Sequence, residues 1–152
     1  GPADATLLLA GTGGYGLLAK AGDLLAKQRG GKAFLSLAEG EKPLPPARAD
    51  GATQVACLSL GGRLLTFALD ELKLQPKGGR GLTLIGLEGP KDALVSVAAF
   101  DKTLRVLGTA LRGGKPKDES FGATALSPYK VARARKGKPA DLGLKPTLLL
   151  RG

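Results

Sequence analysis

The sequence predicts an all-β fold, a propeller-like array of about three blades, and three observations carry that prediction. The first is a repeat: Arg29-Gly30-Gly31-Lys32 returns 48 residues further on as Lys77-Gly78-Gly79-Arg80. The match runs both ways without a gap. Gly14 falls on Gly62, Leu17-Leu18 on Leu65-Thr66, Leu24 on Leu72, Phe34-Leu35 on Leu82-Thr83, and Leu7-Leu8-Leu9 on Val55-Ala56-Cys57. The second is the plan both copies share: apolar run, Gly turn, apolar run, basic Gly-Gly turn, apolar run. Short apolar runs and Gly turns at such a period mark propeller-like blades. The third is composition. Gly 24, Pro 10 and only 4% aromatics favour many tight turns over a long-helix bundle.

At 152 residues the chain can bury one core or let a few small repeats share one. The opening Gly1-Pro2, without Met, reads as the remnant of a cleaved tag on a piece of a longer protein. The units are then residues 3–47, 48–92 and 93–152, the last degenerate.

In the first unit Leu7–Ala10 reads as a buried strand. Gly11 to Gly16 then fits G-x-G-x-x-G, and Leu17, Leu18, Ala21, Leu24 and Leu25 have helical spacing. That combination keeps an NAD-binding reading open, with Glu39 as the ribose acid. The second unit argues otherwise. Its turn, Leu60-Gly61-Gly62-Arg63, keeps only the tight-turn glycines, and Leu64 to Leu69, with Thr66 and Phe67, suits a strand. One architecture must satisfy both copies, so Leu17–Lys20 is expected to be a strand. Lys32–Leu37 is expected as the next strand. Glu39 to Asp50, with Pro43, Pro45 and Pro46, is the connector.

The second unit runs from Thr53 to about Leu87, with Pro76 opening its basic turn and Gly89-Pro90 closing it. In the third, Leu94–Val97 and Thr103–Leu107 read as strands around a turn at Phe100-Asp101-Lys102. Arg112 to Glu119 is expected to be a charged, mobile loop. Val131 to Lys138 is the third basic turn, and Leu148-Leu149-Leu150 the closing strand.

Lys+Arg 23 against Asp+Glu 13 gives a net charge of +10, which points to nucleic acid or an anionic membrane surface as partner. No apolar run reaches the length of a membrane span, and no signal peptide is expected. His is absent, which removes Ser-His and Cys-His nucleophile pairs and the commonest general base. The lone Cys57 sits in an apolar run and reads as a small buried hydrophobe in a reducing compartment.

A Gly-Gly pair flanked by cations suits phosphate, because glycine lets backbone N–H groups approach an anion that the side chains neutralise. Two such turns at one register, with a third basic cluster, make a stripe. Few aromatics accompany it, so it suits the duplex backbone better than stacked single strands.

These residues also carry a resemblance. Gln28-Arg29-Gly30-Gly31-Lys32 resembles the box Q-R-R-G-G-K/R-G in the C-terminal domain of the DNA gyrase A subunit. The wider pattern is similar to the topoisomerase IV branch of that family, seen in Gly14-Tyr15-Gly16 with Asp23-Leu24, and in Gly62-Arg63, Phe67 and Glu71-Leu72. The likeness covers nearly all of the first two units and is looser from Arg112 onward. It implies a β-pinwheel, whose blades exchange strands with their neighbours and carry double-stranded DNA along the outer rim. It implies DNA contacts at Gln28, Arg29, Gly30, Gly31 and Lys32, at Lys77, Gly78, Gly79 and Arg80, and at Arg133, Arg135, Lys136 and Lys138. One Arg fewer than the gyrase box, and Pro76 in place of another, imply looser wrapping, and further blades would lie N-terminal.

The parent it implies is an ATP-dependent type II topoisomerase, an isomerase acting as a heterotetramer with an ATPase subunit in the bacterial cytoplasm, at the nucleoid. Its Tyr nucleophile, Mg²⁺ and ATP lie elsewhere. This stretch is expected to hold no catalytic residue, metal or cofactor, since Tyr15 and Tyr129 lack an Arg-Tyr context and an acidic cluster. Its expected task is to grip or bend duplex and so direct substrate choice in decatenation and supercoil relaxation. A reading from another class stands beside it: a propeller-like protein–protein interaction module whose charge serves solubility.

Overall fold

The structure, a computed structural model, describes residues 2–152. Gly1, half of the pair read as a tag remnant, lies outside them. In chain order the elements are β1 (Thr6–Ala10), β2 (Tyr15–Lys20), α1 (Ala21–Arg29), β3 (Ala47–Arg48), β4 (Gln54–Ser59), β5 (Arg63–Ala68) and β6 (Leu82–Thr83). There follow β7 (Leu94–Phe100), β8 (Leu104–Ala110), β9 (Pro116–Phe121), α2 (Ala123–Leu126), β10 (Lys138–Pro139) and β11 (Leu144–Arg151). They form three antiparallel sheets of strand order β3-β1-β2-β6, β10-β5-β4-β7 and β11-β8-β9.

The order shows strand exchange. The segment behind the second unit's basic turn leaves its own hairpin and pairs with the first, Gly16 facing Leu82 and Tyr15 facing Thr83. The third unit repeats the move, Leu64 facing Lys138 and Arg63 facing Pro139. The main-chain bonds repeat as well. Gln75 and Leu84 N–H donate to Leu18 and Gly14 O (2.9 and 2.7 Å), as Val131 and Ala140 N–H donate to Thr66 and Gly62 O (2.9 and 2.9 Å). Arg133-Ala134-Arg135-Lys136-Gly137 therefore stands where Lys77-Gly78-Gly79-Arg80-Gly81 stands. Even the backbone agrees: Ala134 has φ 73°, Gly78 φ 74°. The three blades form the β-pinwheel.

Alternation sets the core. Leu8, Ala10 and Leu18 of the first sheet meet Val55, Cys57, Leu65 and Phe67 of the second. The opposite face of the second sheet, with Ala56, Leu58 and Leu64, meets Leu104, Val106 and Leu149 of the third. Buried on both faces, β4 and β5 read as near-continuous apolar runs. Each fully buried Leu or Phe here contributes about 1.5–3 kcal/mol of transfer free energy. Leu9, Leu17, Ala19 and Phe34 form a smaller cluster on the outer face of the first sheet.

Leu17–Lys20 is the expected strand, pairing antiparallel with β1 (Leu9 facing Leu17), so Gly11–Gly16 closes a hairpin and the NAD-binding alternative falls. Other expectations are corrected. The helical spacing is nonetheless real further on, because Ala21–Arg29 is a helix. Ala, Leu, Lys, Gln and Arg favour it, and Asp23 in its first turn and Lys27 and Arg29 in its last suit the dipole. Gln28 and Arg29 are thus the last residues of the helix, at the head of the basic turn, and not loop residues.

Lys32–Leu37 is not a strand; it forms a single bridge, Leu35 with Gly79. Its equivalent, β6, becomes a strand only by pairing with the preceding hairpin, and no described residue offers Lys32–Leu37 that partner. Phe100 ends β7 instead of turning, and β7 pairs with β4, serving the second sheet. Arg112 to Glu119 is not a mobile loop: it is a hairpin tip running into β9, which pairs with β8 from Leu104–Phe121 to Thr109–Pro116. Charge hid that strand, because β9 lies at an exposed sheet edge where charged side chains and Pro are at home.

Candidate nucleic-acid interface

Helix α1 delivers the first basic turn. Its end is closed by Gly30 N–H on Ala26 O and Lys27 O (3.3 and 3.1 Å), Gly31 N–H on Gln28 O (2.9 Å) and Lys32 N–H on Lys27 O (3.2 Å). Gln28, Arg29, Gly30, Gly31 and Lys32 are all left exposed. No carboxylate among the described residues pairs with Arg29 or Lys32, so both charges face solvent.

The second turn lies against the first. Gly79 N–H donates to Phe34 O (2.9 Å) and Ser36 N–H to Gly79 O (2.8 Å), while Lys27 Nζ donates to Lys77 O. Lys27 also sits 5.7 Å from the Phe34 ring centroid, so it ties the two turns together. The third turn is fastened to the segment behind the second in the same way: Ala134 N–H to Leu84 O (3.0 Å) and Gly86 N–H to Arg135 O (2.9 Å). The basic turns are joined in series by these main-chain bonds.

Within them the cations divide. Arg29, Lys32, Lys77, Arg135, Lys136 and Lys138 are exposed and free of carboxylates among the described residues. Arg80 and Arg133 turn inward. Arg80 makes two bonds to the Glu41 carboxylate (2.8 and 3.1 Å) and lies over Tyr15. Those bonds, with the Ala38 N–H (2.7 Å), hold the Glu41 carboxyl below its ordinary 4.5. Arg133 donates to Thr83 O (2.7 Å). In the second sheet Arg63, in the place of Tyr15, pairs with Glu88 (2.8 Å) and donates to Gly137 O (3.0 Å). Each exchanged corner thus carries one Arg–Glu fastening beneath its outward cations.

Sequence reasoning passed over Lys27, Glu41 and Glu88. Glu41 and Glu88 fall within a residue of the 48-residue period, which was the available signal. Cys57 is fully buried, and burial pushes its thiol far above the ordinary range. Tyr129 is buried, with its hydroxyl accepting the Asp141 N–H (2.7 Å). Among the described residues no group of three His, Cys, Asp or Glu side chains gathers as a metal site, and no helix is long and apolar enough to cross a membrane.

Strand-exchanged blades, fastened in series and bearing a basic turn at each exchange, define a β-pinwheel repeat module. The sequence matches the family described as DNA gyrase C-terminal domain, beta-propeller, over residues 5–42 and 53–101. The chain belongs to that family. It is 32% identical over 146 residues to the A subunit of DNA topoisomerase 4 from Pseudomonas aeruginosa, covering 93% of this chain and 19% of that protein. To its namesake from Neisseria gonorrhoeae it is 28% identical over 141 residues, covering 89% of this chain and 17% of that one. The chain therefore spans less than a fifth of these relatives. Among solved structures, the E. coli ParC C-terminal domain superposes with TM-score 0.79 at 22% identity, over 97% of this chain and 60% of that one. The DNA gyrase A C-terminal domain does so with TM-score 0.64 at 20% identity, over 95% and 47%. Both likenesses concern the fold.

Proposed function

We propose that this chain is a non-catalytic DNA-binding module of a type II topoisomerase A subunit, and that it grips duplex DNA through the outward cations of its joined turns. The observation that carries the reading is the division of labour at the exchanged corners. Arg80 and Arg133 fasten blade to blade, while Arg29, Lys32, Lys77, Arg135, Lys136 and Lys138 stay outside with no carboxylate among the described residues to neutralise them, beside the exposed Gln28 amide. Such a stripe suits phosphates at successive positions and gives affinity without base readout. By kinship with the topoisomerase 4 A subunits, the parent is an ATP-dependent isomerase in the bacterial cytoplasm. It pairs with an ATPase subunit, and its Mg²⁺ and Tyr chemistry lies outside this stretch. The module's task is to hold or bend one DNA segment and so bias which crossings are decatenated or relaxed.

The test is a titration of this chain with linear duplex at two salt concentrations. Micromolar affinity is expected, with log K falling against log[salt] at a slope of about −5 for five or six neutralised phosphates. A flat salt response would overturn the reading and leave a protein–protein module with charge for solubility.

A further inference from the structure

We infer that the tip of the β8–β9 hairpin, Arg112-Gly113-Gly114-Lys115 with Lys117, is a further phosphate-binding point for duplex DNA, separate from the three basic turns. The inference rests on the reading of this chain as a duplex binder and adds a site to it.

Three observations carry it. The tetrapeptide repeats Arg29-Gly30-Gly31-Lys32 letter for letter, yet stands at a different place in the blade, at the tip of a hairpin instead of beyond the hairpin's second strand. Its backbone is open. Gly113 and Gly114 have φ +80° and +66°, no atom stands within 4 Å of where a Cβ would be, and their N–H groups donate to no other described residue. Arg112, Lys115 and Lys117 are exposed and meet no carboxylate among the described residues. Asp118 is taken up by Arg105 (2.9 and 2.5 Å), which leaves Glu119 as the one free acid on β9.

The third observation is what the matching tips of the other blades already do. In the second blade the tip N–H of Gly61 donates to the Asp92 carboxylate (3.1 Å), and the connector seals the turn through Leu60 N–H on Ala93 O (2.7 Å). In the first, Glu41 fills the space beside Gly13, and Thr12 exchanges bonds with Lys42 (2.9 and 3.0 Å). Both tips therefore carry a carboxylate, and one of them holds it by a backbone N–H. The third blade supplies no such acid to its tip and adds three cations instead. A tip of this place in the fold, stripped of its internal anion and made basic, suits an external phosphate oxygen reached by backbone N–H and side-chain cations together.

The experiment compares Arg112→Ala/Lys115→Ala with Arg29→Ala/Lys32→Ala and the unmodified chain, by duplex titration across salt, with far-UV circular dichroism and thermal melting as the check on folding. The tip variant should melt as the parent does, bind duplex roughly tenfold more weakly at 0.1 M salt, and lower the salt slope by about 1 to 2. A charge reversal, Arg112→Glu/Lys115→Glu, should weaken binding further. If both tip variants bind as the parent does while Arg29→Ala/Lys32→Ala is impaired, the tip is not a site and the basic turns alone hold DNA. If neither region matters, or the parent itself does not bind duplex, the duplex-binding reading fails and the tip falls with it.

Discussion

The Arg80 guanidinium carbon lies 4.0 Å from the centroid of the Tyr15 ring, clamped there by the Glu41 carboxylate. One residue of a basic turn is thereby spent on holding its blade to the preceding one. The plane and fork of arginine serve both contacts at once, which a lysine cannot do.

From this follows a test by conservative replacement. Arg80→Lys keeps the charge and loses the stacking and the bidentate geometry. It should lower the thermal midpoint nearly as much as Arg80→Ala, by about 2–4 °C, and leave the duplex salt slope unchanged. A silent Arg80→Lys paired with an Arg80→Ala that flattens the slope would make Arg80 a phosphate contact and not a fastening.

Close backbone approach at the exchange gives the second prediction. A Cβ on Gly81 would overlap the Gly16 carbonyl, and one on Gly137 would overlap the Leu64 carbonyl, the same contact one blade on. Both residues are also left-handed, with φ +82° and +78°. Gly81→Ala and Gly137→Ala should each cost about 2–4 kcal/mol in urea unfolding. Gly31→Ala, at φ +78° with open space around it, should cost only the conformational term of about 1 kcal/mol. Equal losses at Gly31 and Gly81 would mean that the exchanged strand is not packed as tightly as these contacts require.

The repeat made the two hairpins β1–β2 and β4–β5 legible, since Gly14 and Gly62 turn apolar runs of matching length. It also located the turns now found in series. It could not show exchange. A two-residue strand such as Leu82–Thr83 has no alternation to read, and its partner lies in another repeat unit. The third blade drifts out of register because α2 and Ser127–Tyr129 lengthen it, so Arg133 matches Lys77 at a longer spacing than 48. Arg112-Gly113-Gly114-Lys115 carries the strongest local signal of all. Its neighbours Lys117, Asp118 and Glu119 mask it, because they look like solvated loop in the sequence and in fact alternate along an edge strand.

Acid should weaken the fold. Bonds from Arg80 and the Ala38 N–H hold Glu41 below its ordinary 4.5, and Arg48 with the Thr6 N–H does the same for Asp50. Arg105 holds Asp118 below 3.8; at Asp92 burial works upward, and the N–H groups of Glu88, Ala93 and Gly61 outweigh it. A carboxyl with a depressed folded value adds stability that is present above its unfolded value and lost as pH falls through the folded one. With no His to titrate, the urea midpoint should stay nearly flat from about pH 8 to 5 and fall below about pH 4.5. Glu41→Gln should make that fall shallower. A midpoint that drops between pH 7 and 6 would contradict the assignment of acid sensitivity to these carboxylates.

If the joined turns form one track for duplex, their outward cations act in succession along it. Arg29→Ala/Lys32→Ala at the first turn and Arg135→Ala/Lys136→Ala at the third should weaken binding by similar amounts, each lowering the salt slope by about one for every phosphate no longer neutralised. Removing both pairs should also reduce any bend in the DNA, since a bend must be held at both ends of the arc. Folding should survive, because these exposed charges pair with nothing and contribute little to stability. Arg48 and Lys91 are the control pair, Arg48 tied to Asp50 (2.6 Å) at the far edge strand and Lys91 in a connector. Should Arg48→Ala/Lys91→Ala impair binding as much as either turn pair, position along the chain would not matter, and only diffuse attraction between a chain of charge +10 and polyanionic DNA would remain.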